Sequence, residues 1–126
     1  MILIFGGVYQ GKLEYALDRF NADVSDIYKC SDEETAVPQS KKIIYEIDRW
    51  VLALIKAEAD ITTNVRSFIE NNEDAVVISN DISCGIVPSD ETSRRWREEA
   101  GRVMALVAQQ SEEVVRVFCG VPSRIK

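Results

Sequence analysis

The sequence predicts an α/β domain: a mostly parallel sheet of about five strands with helices on both faces. The continuous apolar run Ile2 to Phe5 suits a strand covered on both sides, Ala75 to Ser79 reads as a buried strand and Val114 to Phe118 as a final one. Segments with apolar residues at helical spacing lie between them. A glycine-rich segment, Gly6 to Lys12, joins the first apolar run to the first helical segment, as a strand-to-helix turn would. The 126 residues suit a single domain, 1–126.

The elements follow in order. Ile2 to Phe5 is the first strand, and Gly11 to Phe20 a helix with Leu13, Ala16, Leu17 and Phe20 on one face. Asp26 to Cys30 is a short second strand. Ser31 to Lys42, polar and containing Pro38, is a loop. Lys41 to Ile47 reads as the third strand, after which Asp48 is placed to cap a helix. Trp50, Leu54, Ala57, Ile61, Val65 and Phe68 continue that helix, with Ile61-Thr62-Thr63 a place where it breaks in two. Asn71-Asn72 ends it. Ala75 to Ser79 is the fourth strand. Pro88-Ser89-Asp90-Glu91 opens a last helix with Trp96, Ala100, Val103 and Val107 on its apolar face, and Val114 to Phe118 is the final strand.

Composition narrows the function classes. The net charge of −6 argues against nonspecific nucleic-acid binding, and the small cluster Arg94-Arg95-Trp96-Arg97 does not reverse that. No apolar run is long enough for a membrane span, and the first apolar stretch lacks the basic flank of a secretory signal. Cys30, Cys84 and Cys119 are scattered and odd in number, as free thiols of a reducing cytoplasm would be. The chain contains no histidine, which removes histidine nucleophiles, bases and metal ligands from consideration.

Gly6-Gly7-Val8-Tyr9-Gln10-Gly11-Lys12-Leu13 fits the phosphate-loop pattern G-x-x-x-x-G-K-[ST] at every defined position except the last. Glycines let backbone N–H groups curl round phosphate oxygens, and the helix that follows offers its unpaired first-turn donors and positive dipole end. Lys12 would reach the terminal phosphates. The hydroxyl that normally holds a magnesium ion is replaced by Leu13, a residue the helix's apolar face also calls for. In a parallel sheet ligands sit at the carboxyl ends of the strands. The glycine loop, Cys30, Glu46 and Asn80-Asp81 all lie there.

Four segments together resemble the adenosylcobinamide kinase/adenosylcobinamide-phosphate guanylyltransferase family. The glycine loop is similar to that family's GGxxSGKS. Asn80-Asp81-Ile82-Ser83-Cys84-Gly85-Ile86-Val87-Pro88 resembles NEVGxGIVP. Arg94 to Val103 resembles R-x-F-R-D-x-x-G-R-V, and Gly120 to Lys126 the ending G-x-P-x-x-[IL]-K. The resemblance implies a P-loop NTPase-like (RecA-like) three-layer fold, a trimeric homo-oligomer, GTP or ATP with Mg2+ as cofactors, and cobinamide as the second substrate. It assigns phosphate binding to Gly6, Gly7, Val8, Tyr9, Gln10, Gly11, Lys12 and Leu13, with Asn80 lining the site. It gives catalytic roles to Lys12 and Glu46, and places Glu46 and Asp81 at the metal.

The departures from the family are as specific as the matches. Leu13 replaces serine, Tyr9-Gln10 replace small residues, and Asp81 replaces glutamate. The family transfers GMP through a histidine carried between the second and third strands. This chain has only the Ser31 to Lys42 loop there and no histidine, so that route is closed. Three expectations follow: a divergent relative that keeps the fold and nucleotide binding; a kinase whose magnesium is held through water by Glu46 or Asp81; and a non-catalytic subunit assembling through the helix faces around Trp50 and Trp96.

Overall fold

A computed structural model describes residues 1–82 and 89–126. The strands are β1 (Ile2–Gly6), β2 (Ile27–Lys29), β3 (Ile43–Tyr45), β4 (Val76–Asn80), β5 (Glu113–Phe118) and β6 (Val121–Arg124). The helices are α1 (Lys12–Arg19), α2 (Ile47–Lys56), α3 (Ile61–Asn71) and α4 (Glu91–Gln110). They form one six-stranded sheet in the order β2-β3-β4-β1-β5-β6. Every neighbouring pair is parallel except β5 and β6. The expected α/β architecture is therefore present, with a sixth, antiparallel strand at the edge.

Alternation along β1 divides the core into two. Leu3 joins Ile44, Val77 and Val114 beneath α2, α3 and α4, packing against Val51, Leu54, Val65, Val103 and Val107. Ile4 faces the other way with Ile43, Ile78, Val115 and Val117, against Ala16, Leu13, Leu17 and Phe20 of α1. Each such fully buried aliphatic side chain contributes about 1.5–3 kcal/mol relative to exposure. The result is three layers, with α1 alone on one side. The guanidinium of Arg19 pairs with the Glu113 carboxylate at the start of β5, fastening the end of α1 across the sheet.

Several boundaries differ from the sequence reading for local reasons. The break between α2 and α3 falls at 57–60, before the β-branched run. Glu58 takes a left-handed φ of 54°, and Asp60 restarts the helix by accepting the Thr63 N–H at 3.1 Å. Asp90 caps α4 in the same way, accepting from Ser93 N at 2.8 Å. Asp48 does not cap α2. The capping position is Glu46, left-handed at φ 61°, and Asp48 sits in the first turn with its carboxylate turned inward. The third strand is only Ile43–Tyr45, because Ile47 already belongs to α2. Trp50 is 3% exposed, packs against Phe68 with centroids 5.1 Å apart, and donates to Thr35 O at 2.8 Å. It is a core residue and offers no face for assembly.

Candidate phosphate-binding cleft

β1 lies between β4 and β5, with Gly6 in register with Asn80. The carboxyl ends of β1, β3 and β4 therefore open together, and a cleft of about 490 Å3 lies over them. One wall is the glycine loop and the start of α1, with Val8, Tyr9, Gln10, Gly11, Lys12 and Leu13. The floor is Tyr45, Glu46 and Asn80, and the far wall is Lys29 and Arg49.

The loop's shape comes from its backbone. Tyr9 (φ 60°) and Gly11 (φ 90°) both take left-handed conformations. Tyr9 is a non-glycine residue in that region, and its ring is 99% exposed. It does not plug the cleft. The α1 N-terminus starts at Gly11 with no side chain capping it, so its first-turn N–H groups face the cleft without a capping partner.

Lys12 is 4% exposed, and its Nζ donates to the Gly7 carbonyl at 2.6 Å, across the loop. Burial pushes its pKa below the usual lysine value, while Asp48, Glu46 and Glu14 partly counter the shift. A buried, desolvated cation beside an uncapped helix N-terminus is a strong attractor for an anion.

Gln10, on the loop wall, ties the glycine loop to the β5–β6 turn. Its Oε1 accepts the Cys119 N–H at 2.6 Å, and its backbone carbonyl accepts the Gly120 N–H at 2.8 Å. Cys119 (φ 51°) and Gly120 (φ 74°) form the tight left-handed turn between β5 and β6. A Cβ on Gly11 would lie 3.3 Å from Gly120 Cα, so the two glycines let hairpin and loop meet. The C-terminal hairpin thus clamps the glycine loop, a role that spacing along the chain did not disclose. Gln10→Ala should cost about 1 kcal/mol of local stability. The check is amide exchange, which should quicken at Cys119 and in residues 7–11 while the core strands stay protected.

Asp48 is the second residue that sequence reasoning misplaced. It is 1% exposed and accepts from Asn80 N at 3.0 Å and from Asn80 Nδ2 at 3.4 Å. Its own carbonyl accepts the Trp96 indole N–H at 2.7 Å. Burial raises its pKa, with the Asn80 hydrogen bonds working against the shift. Asp48 therefore locks the end of β4 to α2 and to α4. Its signal in the sequence was an acid directly after the expected strand, Lys41 to Ile47, which equally fits a cap. Asp48→Ala strands the buried Asn80 N–H and should cost about 1–3 kcal/mol in urea unfolding, whereas Asp48→Asn keeps an acceptor and should cost less.

Glu46 lines the cleft, with Lys29 Nζ 4.0 Å from its carboxylate. Asp81 donates its N–H to Gly6 O at 2.8 Å and is not among the described lining residues. Leu13 turns partly into the α1 side of the core. Among the described residues no three His, Cys, Asp or Glu side chains group as metal ligands. Leu13 gives no oxygen where the phosphate-loop pattern places a metal-holding hydroxyl, which removes one donor for magnesium. Cys30 is buried, its thiol pushed up to about 12 by burial, and Cys119 is exposed; both are free. Cys84 and the Gly85-Ile86-Val87-Pro88 segment lie outside the described residues.

A family model described as "Cobinamide kinase / cobinamide phosphate guanyltransferase" matches residues 25–125. The chain belongs to this family. The cobinamide kinase match begins after the glycine loop, so the loop stands on its own pattern and geometry. The chain is also similar to the bifunctional adenosylcobalamin biosynthesis protein CobP of Pseudomonas aeruginosa, 35% identical over 51 residues. The bifunctional adenosylcobalamin biosynthesis protein CobU of Salmonella typhimurium is 37% identical over 51 residues. Those stretches span 40% of this chain, but only 30% and 28% of the two relatives. The three-layer, mostly parallel architecture agrees with a P-loop NTPase-like fold for this cobinamide kinase relative. No helix among the described residues is long and apolar enough to cross a membrane.

Proposed function

We propose that this chain is a nucleotide-binding member of the cobinamide kinase family that has lost the guanylyl-transfer step and retains at most a slow kinase step. The observation that carries this reading is Lys12, buried at the mouth of a left-handed glycine loop beside uncapped α1 donors. GTP or ATP is the ligand the family suggests, and cobinamide the second substrate. With no histidine in the chain, a covalent guanylyl carrier of the family type has no atom to form on. With Leu13 in place of a hydroxyl, the charge stabilisation that dominates phosphoryl transfer is reduced.

The test has two parts. Calorimetric titration with GTP and ATP should give saturable binding that Lys12→Ala weakens; no heat with either nucleotide at millimolar concentration contradicts the reading. Incubation with GTP labelled at the α-phosphate should leave no label covalently on the protein, and an acid-labile adduct would contradict the lost step.

A second reading, a subunit that assembles with itself or with a full-length paralogue, draws support from one surface. Phe118, Val121 and Ile125 are 60%, 65% and 60% exposed along the β5–β6 edge. Val121→Glu should lower the native mass of any oligomer; a monomeric native chain counts against this reading.

A further inference from the structure

We infer that the cleft takes its phosphate ligand free of a divalent ion, with Lys12, Lys29 and Arg49 supplying the countercharge that magnesium supplies elsewhere, so that the ligand is a metal-free polyphosphate or nucleoside polyphosphate. This rests on the reading of the cleft as a phosphate site. Two carboxylates near the cleft already have partners. Asp48 accepts from Asn80, and Glu46 has the Lys29 ammonium at 4.0 Å. The position that would carry a metal-holding hydroxyl is Leu13, packed toward Ala16 and the β-sheet, so the loss is structural as well as chemical.

The cations stand where a polyphosphate needs them. Lys12 belongs to the loop wall, while Lys29 from the end of β2 and Arg49 from the first turn of α2 line the opposite side. Arg49 is held by the Trp96 ring, its guanidinium carbon 5.5 Å from the centroid, and no carboxylate among the described residues lies within ion-pair distance of it. On a chain of net charge −6, this cleft is lined by three cations against two carboxylates, Glu14 and Glu46. A guanidinium binds phosphate oxygens in pairs and does not need deprotonated ligands or an ordered hydration shell, as magnesium does.

Inorganic tripolyphosphate, titrated by calorimetry in EDTA and again in excess magnesium chloride, tests this. Binding in EDTA should be as tight as in magnesium or tighter. Arg49→Ala should weaken it about ten-fold, and Arg49→Lys should restore part of the loss. Arg49 is exposed, so these variants should melt like the native protein. Binding that appears only with magnesium overturns the inference while leaving the phosphate site intact. Unchanged affinity in Arg49→Ala and Lys29→Ala, with loss only in Lys12→Ala, also overturns it. No binding under either condition overturns the phosphate reading as well.

Discussion

Gly6→Ala should destabilise the protein by about 3 kcal/mol or more. Gly6 is the last residue of β1, and a methyl group there would drive into the backbone carbonyl oxygen of Val117 on the neighbouring strand. A backbone oxygen in a parallel ladder cannot swing aside as a side chain can. Relief requires β1 and β5 to part at the point where the loop leaves the sheet. The melting temperature should fall by roughly 10 °C, and what folded protein remains should bind phosphate poorly. Ala at this position with an unchanged melting temperature would mean that β1 and β5 approach less closely than described. Gly7 makes a useful contrast. A Cβ there meets only the flexible Gln10 side chain at 3.5 Å, so Gly7→Ala should be much milder.

Lys12→Met should separate binding from stability. The substitution removes the ammonium but keeps an unbranched side chain of similar length. Tripolyphosphate affinity should fall by about ten- to a hundred-fold, the scale of one lost charge-assisted hydrogen bond. Stability at neutral pH should hold or rise, because burial of Lys12 makes its charged form costly. The sign is fixed by linkage. With the folded pKa below 10.5, the unfolded chain holds the proton more tightly in the window between the two values. The native protein therefore gains stability as pH rises through that window. Lys12→Met should lack this alkaline gain. A variant that both unfolds and keeps its affinity would mean that Lys12 is a structural residue alone.

The parts of this molecule that were legible in the sequence are those specified locally. Ile2 to Phe5 and Ala75 to Ser79 could be assigned as buried strands because Ile2 to Phe5 and Ala75 to Ile78 run without a polar residue, and α4 because Trp96, Ala100, Val103 and Val107 recur with the helical period. β6 was not legible. Val121–Arg124 is exposed at every residue, contains Pro122 and is folded back on β5 by the Cys119-Gly120 turn. The glycine loop was legible as a pattern, yet the direction of its side chains was not. The left-handed φ at Tyr9 that throws its ring into solvent, and the turn of Gln10 toward Cys119, depend on a hairpin 109 residues away in sequence. The far wall of the cleft was illegible for the same reason. Lys29 and Arg49 come from elements separated by a loop and a strand, and only the parallel pairing of β2 with β3 brings them to one side. Asp48 was misread because an acid at the start of a helix serves equally as a cap or as a buried anchor. What decides is whether a partner such as Asn80 waits beneath it.

Both families of prediction depend on the glycine loop accepting an anion on its main-chain donors, and a crystal soaked in excess tripolyphosphate or GTP tests that most directly. Phosphate density should lie within hydrogen-bonding distance of the Gly11, Lys12 and Leu13 N–H groups, with Lys12 Nζ swung from the Gly7 carbonyl onto a phosphate oxygen. A loop without density, and Lys12 still held on Gly7 in saturating ligand, would contradict the account.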